Sequence, residues 1–349
     1  MPTFCRHNRF LERCPICSGT LPGHPAEGGA PRGTGATRAS SSGGATKRRS
    51  PRGESLRVRR ETRAEDDGYR SSLVGGLRAS ADALSLAQEI AFSSGRLQAL
   101  AKEPPGLYGE ARRLAVEDPE RATWTCFLIA YLSPLEGEDP FAGIRLALAE
   151  APEGPLAHDG EELAADELPD LREVPLGPRS SHDPARGAET LIAYGQWVAR
   201  AGRSDAPAGG PQATAFRGDP TWSAQRRFER LFERLALPGF PRRARYDLLV
   251  TLGRLAIYEL RPDSLYLGGA RGLSADDPTT VAAKRVFGIG DALLLERRAT
   301  ALAEAVAVPL ETLDLALANW TSPERATLGV PRDTSDGGAL QRAAHALGL

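Results

Sequence analysis

From about residue 73 onward, apolar residues recur at intervals of three and four along most of the chain. Trp124, Phe127, Leu128 and Tyr131 fall at i, i+3, i+4 and i+7, one face of an α-helix. Phe228, Leu231, Phe232 and Leu235 repeat that spacing, with Arg226, Arg227, Arg230 and Arg234 interleaved. Asp219-Pro220-Thr221 reads as the start signal of this second helix. Further helices are expected over 82–100, 188–201, 242–255, 291–306 and 310–320. Strand-like alternation is scarce, so the expected fold class is all-α. Two stretches interrupt the periodicity: 151–186, acidic and Pro-rich, and 203–219, rich in Gly, Pro and Ala. Both read as flexible surface insertions, tolerable because closure entropy grows slowly with loop length.

Before residue 73 the pattern is different. Residues 18–70 hold almost no large apolar side chains and are rich in Gly, Ser, Thr, Pro and Arg. Such a composition cannot offset its ordering entropy by burial. The chain therefore divides into a short N-terminal segment (1–18), a disordered basic linker (19–72) and a helical body (73–349).

The net charge of −1 conceals a segregation. Residues 18–70 carry eleven Arg or Lys against six acids, whereas 150–183 carry ten acids against two arginines. Lys47-Arg48-Arg49 and Arg57-Val58-Arg59-Arg60 are either an electrostatic grip on nucleic-acid phosphates or a soluble linker. The acidic stretch is placed to compete with nucleic acid for that arm. No apolar run is long enough to span a bilayer, and no apolar signal core begins the chain. The expectation is a cytoplasmic protein, nucleoid association left open, with reduced thiols.

Three of the four cysteines are concentrated at the start. Cys5, His7, Cys14 and Cys17 are spaced like the ligands of one structural zinc ion. A segment this short cannot build a core, and a metal would replace it. His24 competes with His7 for the fourth position. The remaining Cys126 lies in an apolar helical pattern and is expected to act as a small buried hydrophobe.

Candidate chemistry in the body centres on Lys284-Arg285-Val286-Phe287-Gly288-Ile289-Gly290-Asp291. A helix ends, two glycines frame one apolar residue, and a helix begins. This is the logic of a helix–hairpin–helix turn, in which Gly288 and Gly290 allow a tight reversal and the next helix offers its amides to a DNA phosphate. Asp291 is placed to cap that helix. Leu237-Pro238-Gly239-Phe240-Pro241 repeats the outline more weakly. Downstream, Val308-Pro309-Leu310-Glu311-Thr312-Leu313-Asp314 resembles the Val-Pro-Val-Asp-Thr-His setting of helix–hairpin–helix DNA glycosylases, with Glu311 at the aspartate's position.

The body also resembles the clade 3 alpha-glutamyl/putrescinyl thymine pyrophosphorylases, helical and glycosylase-like. The resemblance runs through Phe127-Leu128-Ile129-Ala130-Tyr131-Leu132-Ser133-Pro134, Asp139-Pro140-Phe141, Arg226-Arg227-Phe228, Leu235-Ala236-Leu237-Pro238-Gly239 and Ala282 to Asp291. It implies hypermodification of thymine in DNA, in which an amine displaces pyrophosphate from an activated hydroxymethyl base. It also implies DNA as partner, with other base-modifying enzymes as further candidates. Such a reaction needs cations beside the leaving group, for which Lys284, Arg285, Arg226 and Arg227 are candidates. It needs a base beside the amine, for which Asp291, Glu311 and Asp314 are candidates. A glycosylase-like activity and a non-catalytic zinc protein that binds nucleic acid are the competing expectations.

Overall fold

The computed structural model describes residues 64–152, 154, 168–202, 210–269 and 273–349, all within the unit Glu61–Leu349. Cys5, His7, Cys14 and Cys17, His24 and most of the basic linker lie outside the described residues. Every regular element among the described residues is an α-helix, as the periodicity predicts.

The helices are α1 (Ser80–Lys102), α2 (Gly106–Glu117), α3 (Pro119–Leu132), α4 (Ala142–Glu150), α5 (Gly187–Gly202) and α6 (Gly210–Arg217). They continue with α7 (Ala224–Arg234), α8 (Arg242–Arg254), α9 (Pro278–Phe287), α10 (Ala292–Val306), α11 (Leu310–Thr321) and α12 (Gly337–Leu347). None of them is long and apolar enough to cross a membrane.

Helix α3 is the axis of one half. Its start follows from chemistry: Asp118 accepts a hydrogen bond from the Arg121 amide at 2.9 Å, and Pro119 fills the first helical position. Every residue from Ala122 to Leu132 is buried, because α2, α4, α6 and α8 surround the helix. The single apolar face read from Trp124 to Tyr131 is therefore part of a helix buried all round. Phe127 stacks on Tyr194 of α5, with ring centroids 3.9 Å apart, and on Phe240 at 5.1 Å. Cys126 is buried and unpaired, and burial pushes its thiol pKa up. In the other half, α1 packs on α11 and α12, α11 packs on α9, and α10 lies against α9, α11 and α12. α8 belongs to the first half and also touches α1, so the two halves meet along α8.

Two local readings change. Asp219 does not start α7. It folds into a turn by accepting hydrogen bonds from the amide and hydroxyl of Thr221, and Ser223 caps the helix instead, accepting from the Arg226 amide at 3.2 Å. Residues 210–217, read as insertion, form α6, whose Phe216 is fully buried. The second half of the acidic stretch, 168–186, has no helix but is held to the body. The Gly177 amide donates to the Leu132 carbonyl at 3.0 Å, and the Ser181 amide to the Tyr131 carbonyl at 2.9 Å. These bonds satisfy the carbonyls that the end of α3 leaves without helical partners.

Candidate active site

The first three residues of α8 include Arg242 and Arg243, and Arg245 follows. Cations at a helix N-terminus oppose the macrodipole, so acids must compensate. For Arg242 they do. It lies 2 % exposed, ion-paired through Nη2 to Asp314 of α11, and its Nη1 is 3.6 Å from Asp277. Asp277 also caps α9, accepting from the Thr280 amide at 3.0 Å. Arg242 further donates to the Leu265 and Tyr266 carbonyls. One arginine thus ties α8 to α9, α11 and the loop before α9.

Asp314 takes a second guanidinium on its other oxygen. Arg179 Nη2 donates to Asp314 Oδ2 at 2.7 Å. The same Arg179 grips Asp247 of α8 with two bonds, Nε to Oδ2 at 2.8 Å and Nη2 to Oδ1 at 2.7 Å. Arg179 sits on the ordered loop that closes the end of α3, and its amide donates to Ser133 Oγ at 3.3 Å. Ser133 holds φ 61° and ψ 139°, a backbone region costly for any residue but glycine. Strain of this kind persists only where surrounding bonds fix it, and here they position Arg179.

The two aspartates are pushed in opposite directions. Burial works against the ionised form of Asp314, but the guanidiniums of Arg242 and Arg179 outweigh it and hold its pKa below the ordinary value. Asp247 is raised, chiefly by burial, against the pull of Arg179 and with the help of the Asp314 charge. A carboxylate pair split in this way supplies one permanent anion and one group able to exchange a proton.

Both aspartates and Arg179 line a cleft between α1, α3, α8 and α11. Leu97, Leu100 and Ile129 supply apolar walls, and Leu328, at φ 55°, closes one side. The cavity volume is about 30 Å³, room for one or two waters. A larger group enters only if the walls part. Glu311 also lines the cleft and is ion-paired to Arg254 at 2.7 Å.

The residues expected from the sequence are thus divided. Glu311 and Asp314 come together in the cleft. Asp291 does not line it. It caps α10, accepting from the Leu294 amide at 2.9 Å, and is exposed. Gly288 ends α9 at φ 70°, and a Cβ there would lie 2.9 Å from the Cα of Gly76. The Gly76 amide donates to the Val286 carbonyl at 2.9 Å, so this reversal rests against the chain entering α1. Gly290 faces open space. Lys284 reaches the Ala275 carbonyl at 3.3 Å, and Arg285 flanks the same turn. On α7, Arg226 is exposed, whereas Arg227 is buried and donates to the carbonyls of Arg217, Trp222 and Glu259.

Sequence reasoning missed Arg179, Arg242 and Asp247. Arg179 is one of two arginines among the acidic residues 150–183, and the Arg-Arg at the start of α8 opposes the dipole; both were readable signals. Asp247 carries no such local mark. Among the described residues, no group of three or more His, Cys, Asp or Glu is placed to hold a metal.

No curated protein and no solved structure matches the chain. A family model described as alpha-glutamyl/putrescinyl thymine pyrophosphorylase clade 3 matches residues 180–328, from the residue after Arg179 through α5–α11, and so takes in Arg242, Asp247, Glu311 and Asp314. The match spans less than half of the chain, and over residues 180–328 the chain is similar to that family.

Proposed function

We propose that the chain modifies thymine-derived bases in DNA, and that the Arg179–Asp247–Asp314 cleft is its reaction centre. The observation that carries this reading is one buried arginine, Arg179, bridging Asp247 and Asp314 at a cleft whose acids, Asp247, Glu311 and Asp314, all fall within the family match. The family's name supplies the chemistry: an amine joins a thymine-derived group and pyrophosphate leaves.

In the proposed step the amine nitrogen attacks the hydroxymethyl carbon of the base. The carbon–oxygen bond to pyrophosphate breaks, and pyrophosphate departs with that electron pair. Asp247 takes the proton that the nitrogen loses. Its raised pKa brings it closer to the working pH, which suits a general base. Arg179 offers positive charge to the departing oxyanion, and Asp314 keeps that guanidinium in place. Glu311 is the second acid at the cleft wall, held by Arg254. The target base would have to leave its stack to reach a site this enclosed. The exposed turn Gly288–Asp291, with Lys284 and Arg285 beside it, is the proposed seat for a DNA phosphate, a role in which backbone amides position the strand. The basic arm would add sequence-independent attraction. Cys5, His7, Cys14 and Cys17 would hold one structural zinc; metal analysis of the purified full chain and of Cys14→Ser tests it, and a metal-free wild type prepared without chelators rejects it.

The test of the main reading is a release assay. DNA carrying a pyrophosphorylated hydroxymethyl pyrimidine is incubated with putrescine or glutamate, and free pyrophosphate is measured. Wild type should release pyrophosphate and Asp247→Asn should not. Release that Asp247→Asn sustains at the wild-type rate overturns the assignment.

A further inference from the structure

A second cavity lies beyond Arg179, away from the apolar walls of the cleft. Its volume is about 190 Å³, larger than that of the cleft, and Arg179 lines both. Arg243, Asn319, Thr321 and Ser322 complete its polar lining. Two residues of this lining carry a buried donor without a partner. Arg179, 4 % exposed, spends Nε and Nη2 on Asp247 and Asp314, but its buried Nη1 has no partner. Asn319, also 4 % exposed, accepts from the Ala326 amide at 3.0 Å through Oδ1, while its buried Nδ2 has no partner. Buried donors without acceptors are costly, and each such group in a folded chain calls for an explanation.

Charge points the same way. Arg243 donates to the Ser180 carbonyl and to Ser181 Oγ, and no described carboxylate lies within ion-pair distance of it. Burial lowers its pKa, and the neighbouring Arg179 cation lowers it further, against the more distant pull of Asp247, Asp277 and Asp314. Two guanidiniums that repel each other, one side-chain amide donor without a partner and two hydroxyls line one space. The single acid at the rim, Glu324, is exposed and screened by water.

We infer that this cavity binds an oxyanion of the phosphate class, held by Arg243 and Arg179 with Asn319 Nδ2 and the Thr321 hydroxyl as further donors. A tetrahedral oxyanion has the acceptors that Arg179 Nη1 and Asn319 Nδ2 lack, and guanidinium–phosphate bonds are among the stronger hydrogen bonds in proteins. The ligand would be a free phosphate or pyrophosphate, or a phosphate of the DNA backbone. The inference stands apart from the role given to Asp247, since none of its donors is a proton acceptor.

Isothermal titration of the full chain with inorganic pyrophosphate, and separately with a short DNA duplex, tests it on wild type, Arg243→Gln and Thr321→Val. Thr321→Val removes a hydroxyl at constant size and keeps the test readable if Arg243→Gln folds poorly. Wild type should bind pyrophosphate, with Arg243→Gln at least about tenfold weaker and Thr321→Val severalfold weaker. Weakening confined to pyrophosphate identifies a free oxyanion as the ligand. Weakening for both, with pyrophosphate competing against the duplex, identifies the DNA backbone. Variants that bind both ligands as wild type does, or a wild type that binds no pyrophosphate at millimolar concentration, overturn the inference.

Discussion

The turn Gly288–Asp291 and the Arg179–Asp247–Asp314 cluster are both candidate functional regions, and they are built on opposite principles. The turn is local. Its capping aspartate, its left-handed glycine and its flanking cations lie within eight consecutive residues, and Gly290 and Asp291 are exposed. The cluster is assembled from afar. Arg179 and Asp314 stand 135 residues apart, and each is almost wholly buried. Exposed groups in water interact weakly, whereas buried ions without partners are expensive. The turn is thus suited to touching a strand, while the cluster is suited to shifting pKa values. A surface site can be altered one residue at a time, but the cluster answers as a unit.

That contrast can be broken at several points. The largest effect should come from Asp314→Asn, which strips Arg179 and Arg242 of their shared anion. Removing one partner of a buried pair costs about 3–5 kcal/mol, and denaturant midpoints should record it. Asp247→Asn should behave differently although it neighbours the same arginine. Turnover should fall at least about 100-fold, within the usual range for a general base, while the midpoint falls by less than in Asp314→Asn. The sign follows from linkage. Asp314 has a folded pKa below its ordinary value, so its contribution is present above that value and lost as pH falls through the folded pKa. Asp247 has a raised folded pKa, so its contribution is present in acid and lost as pH rises through that pKa. Replacing it by a neutral amide therefore removes a charge that burial disfavours at neutral pH, which offsets part of the weakened pairing with Arg179.

Smaller effects are expected at the turn. Gly288→Ala places a side chain at φ 70° and against Gly76, costing about 1–3 kcal/mol. Gly290→Ala meets open space and should stay within about 0.5 kcal/mol of wild type. The difference between the two midpoints measures the left-handed backbone of Gly288 and its close approach to Gly76 together. Asp291→Ala should cost about 1 kcal/mol through the lost cap of α10. Equal losses of stability and turnover at Asp247 and Asp314 would erase the distinction drawn between them.

The sequence made some of this legible for physical reasons. Five expected helices, 82–100, 188–201, 242–255, 291–306 and 310–320, correspond to α1, α5, α8, α10 and α11 within two residues at each end, because each has a strong period and clear ends. Asp291 is a cap as its position suggested, since capping is decided within three residues. α6 was hidden because Gly210-Pro211 opens it and composition alone suggested a loop. Arg179 was hidden for the opposite reason. Its stretch is acidic and Pro-rich, and only the packing of that stretch against the end of α3 turns its arginine inward. Asp314 stood out by its spacing after the turn, but its partners, Arg179 and Arg242, come from elements that no local pattern links to it. Spacing found one acid of the pair, and only the tertiary fold supplies the second, Asp247.

The most direct measurement is the pH dependence of pyrophosphate release by wild type and Asp247→Asn on hydroxymethyl-activated DNA. An acidic limb should appear with its midpoint above 3.8, the ordinary aspartate value, as Asp247 loses its proton. In Asp247→Asn that limb should vanish along with nearly all turnover. A wild-type rate that stays flat through this range, or a limb that survives in Asp247→Asn, would contradict the assignment of the cleft as the reaction centre.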